Sequence, residues 1–369
     1  MDTSKSIVQL QENELLHQVL HHYTVEGNQL SILPFGSGLI NRTWKVQGLS
    51  GNKNYILQKL NTSVFKNPTA IAENIASVGN YLAANAPGYF FVTPLPTHDG
   101  SLMVHHENGD WYRLMPFVEN TITFDTVDTP EQAYEAAWAF GTFAAALKNF
   151  PANRLHTTLP DFHNLSFRFY QYRKALHHSN EAAKTLASKE IEEIARYFSI
   201  QSKYEKISAD INIPLRVMHH DTKISNCLFD EAGKHRCIID LDTLMPGYFI
   251  SDVGDMCRSY LSPQNEESTD CYNIGIRMPF YKALAQGYLA AMGPVLSKNE
   301  LEVFTYAGKF LIYMQALRYL SDFLNGNVYY PVKHPLHNLD RTKNQLALLK
   351  AYCERETDMQ NIISKLSRF

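Results

Sequence analysis

His219, Asp221 and Asn226 follow one another as H-x-D-x-x-x-x-N in the segment Val217-Met218-His219-His220-Asp221-Thr222-Lys223-Ile224-Ser225-Asn226-Cys227-Leu228-Phe229. A polar turn, Asp230-Glu231-Ala232-Gly233, and an apolar stretch then lead to Ile238-Ile239-Asp240-Leu241-Asp242. These residue types at this spacing suit phosphoryl transfer, which asks a protein for positioned phosphates, metal, nucleophile and compensating positive charge, and for little covalent chemistry. A carboxylate is a weak base, so Asp221 is expected to orient an acceptor hydroxyl and take its proton late. Asn226 and Asp240 are expected to hold Mg²⁺ through hard oxygen ligands, leaving positions for ATP oxygens and water, with Asp242 assisting or replacing one of them. Lys223 either adds positive charge near the transferred group or is a solvated surface lysine. His219 reads as a loop-packing residue. Asp252, in Ser251-Asp252-Val253-Gly254-Asp255, either accepts backbone N–H groups of the loop or caps a helix.

Such a loop needs elements that position it, and the order of its residues is that of a kinase catalytic loop. Leu30-Ser31-Ile32-Leu33-Pro34-Phe35 and Asn41-Arg42-Thr43-Trp44-Lys45-Val46 flank Phe35-Gly36-Ser37-Gly38 with strand-like alternation, and a turn follows at Gly51-Asn52. Gly36, Ser37 and Gly38 either bring backbone N–H groups to phosphates or form a plain hairpin turn; the third glycine of G-x-G-x-x-G is replaced by Asn41. Tyr55-Ile56-Leu57-Gln58-Lys59-Leu60 is a third strand, on which Lys59 either meets the inner phosphates or is a solvated lysine. Leu57, on the same face by alternation, is placed to touch adenine, and Gln58 points the other way. Pro68 to Leu82 has helical spacing and carries Glu73, the expected ion-pair partner of Lys59. Strands near Leu102-Val104 and Trp111-Phe117 lead to a hinge at Met115-Pro116-Phe117-Val118, where Met115 and Phe117 join the nucleotide-binding set.

Beyond Phe117 the pattern becomes helical. Thr129-Pro130-Glu131-Gln132 starts a helix expected to reach about Asn149, and Ser297-Lys298-Asn299-Glu300 is a capping box opening a helix expected to reach about Leu324. The expected fold is α+β and bilobal, protein-kinase-like, with a small antiparallel-sheet N-lobe over 1–116 and a larger mainly helical C-lobe over 117–369. A chain of 369 residues, 45% apolar and 19% charged, can bury the cores of two such lobes.

Formal charge is −3, with no long basic run, which argues against nucleic acid as a partner. The polar start and the lack of an 18-residue apolar run argue against a membrane and for a soluble cytoplasmic protein. Five scattered cysteines suit reduced thiols, and the His doublets lack zinc-ligand spacing. A G-x-x-x-x-G-K-[ST] phosphate loop is absent, and Asp240-Leu241-Asp242 lacks the glycine of D-F-G. The oligomeric state is open.

In wording, the chain resembles the aminoglycoside phosphotransferase and choline kinase superfamily from about Phe35 to Leu346, and within it N-acetylhexosamine 1-kinases. The resemblance rests on Tyr55 to Asn61, Leu159-Pro160-Asp161-Phe162-His163, His220 to Lys223, Ile239-Asp240-Leu241-Asp242-Thr243-Leu244-Met245-Pro246-Gly247, Leu317-Arg318-Tyr319-Leu320, Tyr329-Tyr330 and His337-Asn338-Leu339. It implies ATP-dependent phosphorylation of the anomeric hydroxyl of GlcNAc or GalNAc, with Asp221 facing that hydroxyl and Arg318 and Tyr329 holding the sugar and its acetamido group. Arg318 offers a fork of donors and Tyr329 an aromatic face with a hydroxyl, a pairing suited to an uncharged polyol; packing on a long helix is the alternative. Asp161 and His163 shape the pocket in this reading, and Tyr260 is either an aromatic wall for the sugar or a core residue. Rival readings are a kinase for an aminoglycoside, a choline-like amino alcohol or homoserine, and a nucleotide-binding pseudoenzyme.

Overall fold

Alternating apolar residues in the first third build a five-stranded antiparallel sheet: β1 (Leu30–Pro34), β2 (Arg42–Gly48), β3 (Asn54–Leu60), β4 (Val104–His105) and β5 (Trp111–Pro116), in the order β1-β2-β3-β5-β4. The computed structural model describes residues 3–25, 30–36, 38, 40–48 and 53–367. The Gly51-Asn52 turn lies outside them. The chain divides into two compact units, the first comprising Met1–Ile122, Arg154–Leu159 and Leu241–Leu244, the second the remainder.

In the first unit an N-terminal helix, α1 (Thr3–Leu20), decides which face of the sheet is core. Leu16, Val19 and Leu20 of α1 pack with Trp44, Val46, Tyr55, Leu57, Tyr112 and Leu114. Each such side chain contributes roughly 1.5–3 kcal/mol on burial. A second helix, α2 (Pro68–Asn85), is capped by Asn67, whose side chain accepts from the Ala70 N–H, with proline in its first turn. Its buried Asn74 fastens both returning segments: Nδ2 donates to the His156 and Leu244 carbonyls at 2.8 and 2.9 Å, and Oδ1 accepts from the His156 N–H at 2.8 Å.

The second unit is mainly helical. Its elements are α3 (Pro130–Ala146), α4 (Leu165–His178), α5 (Glu181–Leu186), α6 (Ser188–Arg196), α7 (Phe198–Ala209), α8 (Ile250–Tyr260), α9 (Met278–Met292), α10 (Lys298–Glu302), α11 (Tyr306–Leu324), α12 (His337–Glu354) and α13 (Glu356–Leu366), with two short antiparallel pairs. β6 (Arg216–Met218) pairs with β9 (Met245–Gly247), and β7 (Cys227–Phe229) with β8 (His235–Ile238). Both capping boxes form, at Thr129/Gln132 and Ser297/Glu300. The helices they open are shorter than expected. The first ends at Ala146, where the Leu147 N–H turns back to the Ala144 and Ala145 carbonyls. The second stops after Glu302, and α11 begins afresh at Tyr306. The break aims Glu300, fully buried, at Arg216, whose Nε and Nη2 donate to its two oxygens at 2.7 and 2.8 Å. α11 is buried along almost its whole length and packs against α4, α8 and α12. All five cysteines are unpaired thiols.

Candidate active site

The loop between β6 and β7 carries Asp221, and one helix holds it. From α8, the Asp252 carboxylate accepts from the backbone N–H groups of His219 at 3.1 Å and His220 at 2.8 Å. Asp255 accepts from the Thr222 N–H at 2.8 Å; the Thr222 hydroxyl donates to the Asp252 carbonyl at 2.8 Å; and the Tyr260 hydroxyl donates to the Thr222 carbonyl at 2.6 Å. Of the two sequence readings for Asp252, loop tie is the one observed. Burial, with Asp255 and Asp221 nearby, pushes its carboxyl up to about 7 against the two backbone donors. His220 takes the left-handed conformation at φ 66°, and its ring lies where glycine is required at position 247: a Cβ there would stand 2.3 Å from His220 Nε2. His219 is buried, and its Nε2 is 2.9 Å from the Ile239 carbonyl, in keeping with a packing role.

Asp221 and Asn226 meet: Asn226 Nδ2 donates to the Asp221 carbonyl at 2.9 Å and to its Oδ2 at 3.1 Å. Lys223 Nζ lies 3.2 Å from Asp221 Oδ1. Burial alone would raise the Asp221 carboxyl, but Lys223, His219 and Arg258 outweigh it and hold the group below the usual carboxylate value, so it is ionised at neutral pH. Reciprocally, the Asp221 charge raises the ammonium of Lys223, which is exposed, above its usual value. Asp240, also left-handed at φ 58°, is anchored beside them, since the Ile239 N–H donates to the Asn226 carbonyl at 2.9 Å. Non-glycine residues held at positive φ on both segments are a form of strain that gathers at functional sites. Asp255, Arg258 and Glu266 were missed as site residues. Arg258 bridges Asp255 at 3.0 Å and Glu266 at 2.6 Å, and the Asp255/Arg258 spacing of three on an amphipathic helix was the available signal.

On α11, Arg318 lies over Phe162 and Tyr330, 5.6 and 5.5 Å from the ring centroids, and donates to Gln315 Oε1 at 3.1 Å. Arg168 is its neighbour: burial first, then the Arg318 charge, lowers the Arg168 guanidinium to about 10. His163 stacks on Phe162 at 4.5 Å and approaches the His220 ring edge-on at 5.3 Å. Burial, followed by His220 and the two arginines, holds His163 well below its usual value, so its ring is neutral. Asp161 forms a left-handed turn and accepts from Asn164 Nδ2 at 2.7 Å. Tyr329 is exposed, and the buried Asp322 grips its loop, accepting from the N–H groups of Val328, Tyr329 and Tyr330 at 2.8–2.9 Å. Asp322 was also missed, although its place four residues after Arg318 puts both on one helix face. Tyr260 is fully buried, with its hydroxyl spent on Thr222; of its two readings, core residue is the one the structure gives.

In the first unit the expected Lys59–Glu73 pair is replaced by two others. Lys59 bridges Asp110 at 2.5 Å and Glu73 bridges His156 at 2.9 Å. The reason is strand phase, because Lys59 shares the face of Tyr55 and Leu57 that α1 covers. Leu57 is accordingly core and closed to adenine. The opposite face carries Ile56 and Met115, which pair across β3 and β5, and Gln58 and Arg113, which do likewise. Arg113 Nε donates to Gln58 Oε1 at 2.9 Å, and Nη1 lies 2.5 Å from Asp242 Oδ1. Asn41 Nδ2 donates to the other Asp242 oxygen at 2.6 Å, so the whole Asp242 carboxylate is engaged. Phe117 receives Phe35 edge-on at 5.7 Å and Lys45 Nζ 3.9 Å over its ring. Gly36 has φ 78°, and Cβ atoms added at Gly36 or Gly38 would meet nothing within 4 Å. Ser37 lies outside the described residues.

The model of the phosphotransferase enzyme family (APH) matches residues 31–296, more than half the chain and spanning both the sheet and the loop that carries Asp221. The chain belongs to this family. Solved structures similar to the phosphotransferase include a microcompartment-associated aminopropanol kinase (15% identity, 93% of this chain and 98% of that one, TM-score 0.63). A spectinomycin phosphotransferase in complex with ADP and spectinomycin matches at 13% identity over 93% and 98% of the two chains, with TM-score 0.60. A choline kinase from Cryptosporidium parvum matches at 12% over 96% and 99%, with TM-score 0.53. These likenesses establish a kinase-like α+β fold, a small antiparallel sheet followed by a mostly helical remainder.

For a phosphotransferase the chemistry of the second unit is coherent. Asp221 is ionised and held by Asn226, the condition that a late proton acceptor would have to meet. Among the described residues no group of three or more His, Cys, Asp or Glu side chains gathers as a metal site. A divalent ion would therefore depend on fewer protein ligands and on phosphate oxygens, the usual habit of magnesium. Asn226 fits that role, because its amide nitrogen is committed to Asp221 and its oxygen is the atom left for a cation. Asp240 follows Ile239, whose N–H donates to the Asn226 carbonyl, and is the carboxylate the chain places next in sequence to that contact. A magnesium ion there would offset charge on the outer phosphates. No helix among the described residues is long and apolar enough to cross a membrane.

Proposed function

We propose that this phosphotransferase uses ATP and Mg²⁺ to phosphorylate the anomeric hydroxyl of an N-acetylhexosamine, GlcNAc or GalNAc. The bond from the γ-phosphorus to the bridging oxygen of ADP breaks, the bond to the sugar oxygen forms, and the hydroxyl proton passes to Asp221. The observation that carries the transfer step is the set Asp221, Asn226 and Lys223 on a loop tied at five points to α8.

The acceptor class is supported by the charge around Arg318. Two neighbouring arginines, each over an aromatic ring, beside a neutral histidine, offer donors to a carbonyl or hydroxyl oxygen. An ammonium group placed there would be a third positive charge, which disfavours choline, aminopropanol or an aminoglycoside as substrate. The acetamido carbonyl and hydroxyls of an N-acetylhexosamine meet the donors without that penalty. The proposed setting is the cytoplasm, where ATP is available and five unpaired thiols stay reduced.

The test is purified protein with ATP, Mg²⁺ and a panel of GlcNAc, GalNAc, ManNAc, glucose, galactose, choline and aminopropanol, scored for acceptor phosphate. Sugar 1-phosphate from an N-acetylhexosamine, abolished by Asp221→Ala while nucleotide still binds, is the expected result. Turnover of an amine, with none on any N-acetylhexosamine, overturns the acceptor assignment and leaves the family standing.

A further inference from the structure

We infer that Arg113 on β5, and not Lys59 on β3, is the cation with which the first unit meets the nucleotide phosphates, and that Asp242 is its counter-ion until nucleotide arrives. The inference rests on the ATP-dependent function proposed above. α1 covers the face that carries Lys59, Leu57 and Tyr55, which leaves a nucleotide the face of Ile56, Met115, Gln58 and Arg113. On β3 that face presents Gln58, which has no charge. The charge stands directly opposite, on Arg113, and Gln58 aims it by accepting from Nε at 2.9 Å. Lys45, also on this face, lies over the Phe117 ring, toward Met115. Arg113 instead meets Asp242, two residues along the chain from Asp240.

The pairing has a chemical consequence. Arg113 and Asp242 are each 2% exposed, a neutral buried pair. A ligand bringing only negative charge would take Arg113 and leave the buried Asp242 carboxylate with the Asn41 amide but no counter-ion, which is costly. A metal–nucleotide complex brings both signs: its phosphates replace Asp242 at Arg113, and its cation receives Asp242. Partner exchange of this kind makes nucleotide affinity steeply dependent on the divalent ion. Lys59, held by Asp110 on the covered face, takes no part.

Calorimetric titration of ADP, in EDTA and in MgCl₂, into wild type, D242N, R113Q/D242N, R113K and K59M tests this, with thermal melting to verify folding. Wild type should bind ADP about tenfold or more tightly with Mg²⁺ than without, the scale of one charged hydrogen bond. D242N, which uncovers Arg113, should bind Mg²⁺-free ADP about tenfold more tightly than wild type, and R113Q/D242N should lose that gain. K59M should match wild type. Should D242N fail to fold, R113K retaining MgADP binding that the charge-free R113Q/D242N loses is the corresponding expected result. Equal Mg²⁺-free affinity of D242N and R113Q/D242N, equal MgADP affinity of R113K and R113Q/D242N, or weakened binding in K59M, overturns the inference alone. Wild type that binds ADP under neither condition overturns the ATP-dependent function and this inference with it.

Discussion

Replacing Asp252 by asparagine changes one atom of the loop's anchor and two of its properties. The two carboxylate oxygens serve separate donors, Oδ2 the His219 N–H and Oδ1 the His220 N–H. Asparagine has a single acceptor oxygen, so one N–H would face an NH₂ group, and a buried donor left unsatisfied costs about 1–3 kcal/mol. The second property is titration. Burial raises the Asp252 carboxyl from 3.8 to about 7. Between those values the folded protein holds a proton that the unfolded chain has released, so wild-type stability falls as pH rises and levels off above about 7. From pH 5 to pH 8 the loss attributable to this group is roughly 2–3 kcal/mol, taking about 1.4 kcal/mol per pH unit. The amide of the variant does not titrate. At pH 5 the wild-type carboxyl is itself protonated and, like the amide, keeps one carbonyl acceptor, so urea unfolding should find the two proteins within about 1–3 kcal/mol of each other, and by pH 8 D252N should have gained roughly 2–3 kcal/mol on wild type. Turnover should be reduced at both pH values, because the loop carrying Asp221 is displaced in either case. A stability gap that stays constant between pH 5 and pH 8 would refute the titration, and wild-type turnover in D252N would refute the anchoring role.

Tyr260→Phe keeps the buried ring and removes the hydroxyl bonded to the Thr222 carbonyl; kcat should fall with acceptor KM unchanged, whereas a rise in KM alone would restore Tyr260 as a wall of the sugar site. Asp322→Ala releases three N–H groups of the 328–330 loop, so acceptor KM should rise and nucleotide affinity should hold, measured by steady-state kinetics and ADP titration. Glu300→Ala leaves Arg216 half of a broken buried pair and should cost about 3–5 kcal/mol in urea unfolding with little change in kcat of the folded fraction.

The contact of Asp221 with Asn226, in the loop proposed as catalytic, was legible in the sequence because phosphoryl transfer would restrict residue identity at fixed spacing within one continuous segment. Asp221 and Asn226 could be found without knowing any neighbour from another element. The phase of β3 could not. Alternation separates Tyr55, Leu57 and Lys59 from Ile56 and Gln58, but a period of two does not say which set is covered. That choice was made by α1, which reads in the sequence only as a polar stretch, and it sent Leu57 into the core and Lys59 to Asp110. Tyr260 followed the same logic on a helix, where direction depends on what packs alongside. The supporting carboxylates Asp255 and Asp322 were hidden for a different reason. Each serves backbone donors on a loop outside its own helix, and backbone N–H groups carry no residue signature.

Both ends of the proposed acceptor reaction are referenced to one pair of packed helices. α8 supplies Asp252, Asp255 and Tyr260 to the Asp221 loop, while α11 supplies Arg318 to the pocket and Asp322 to the Tyr329 loop. The two helices meet backbone to backbone at Gly254, where an added Cβ would stand 2.5 Å from the Ala307 carbonyl oxygen. Their separation is therefore set by main-chain contact, which cannot relax by a change of rotamer as a contact between flexible side chains can. Transfer rates depend on the reacting atoms being held within about an ångström of the productive geometry. Under the proposed function, Asp221 and Arg318 are spaced by such a contact, which would hold constant the distance between the reacting hydroxyl and the acceptor group at Arg318.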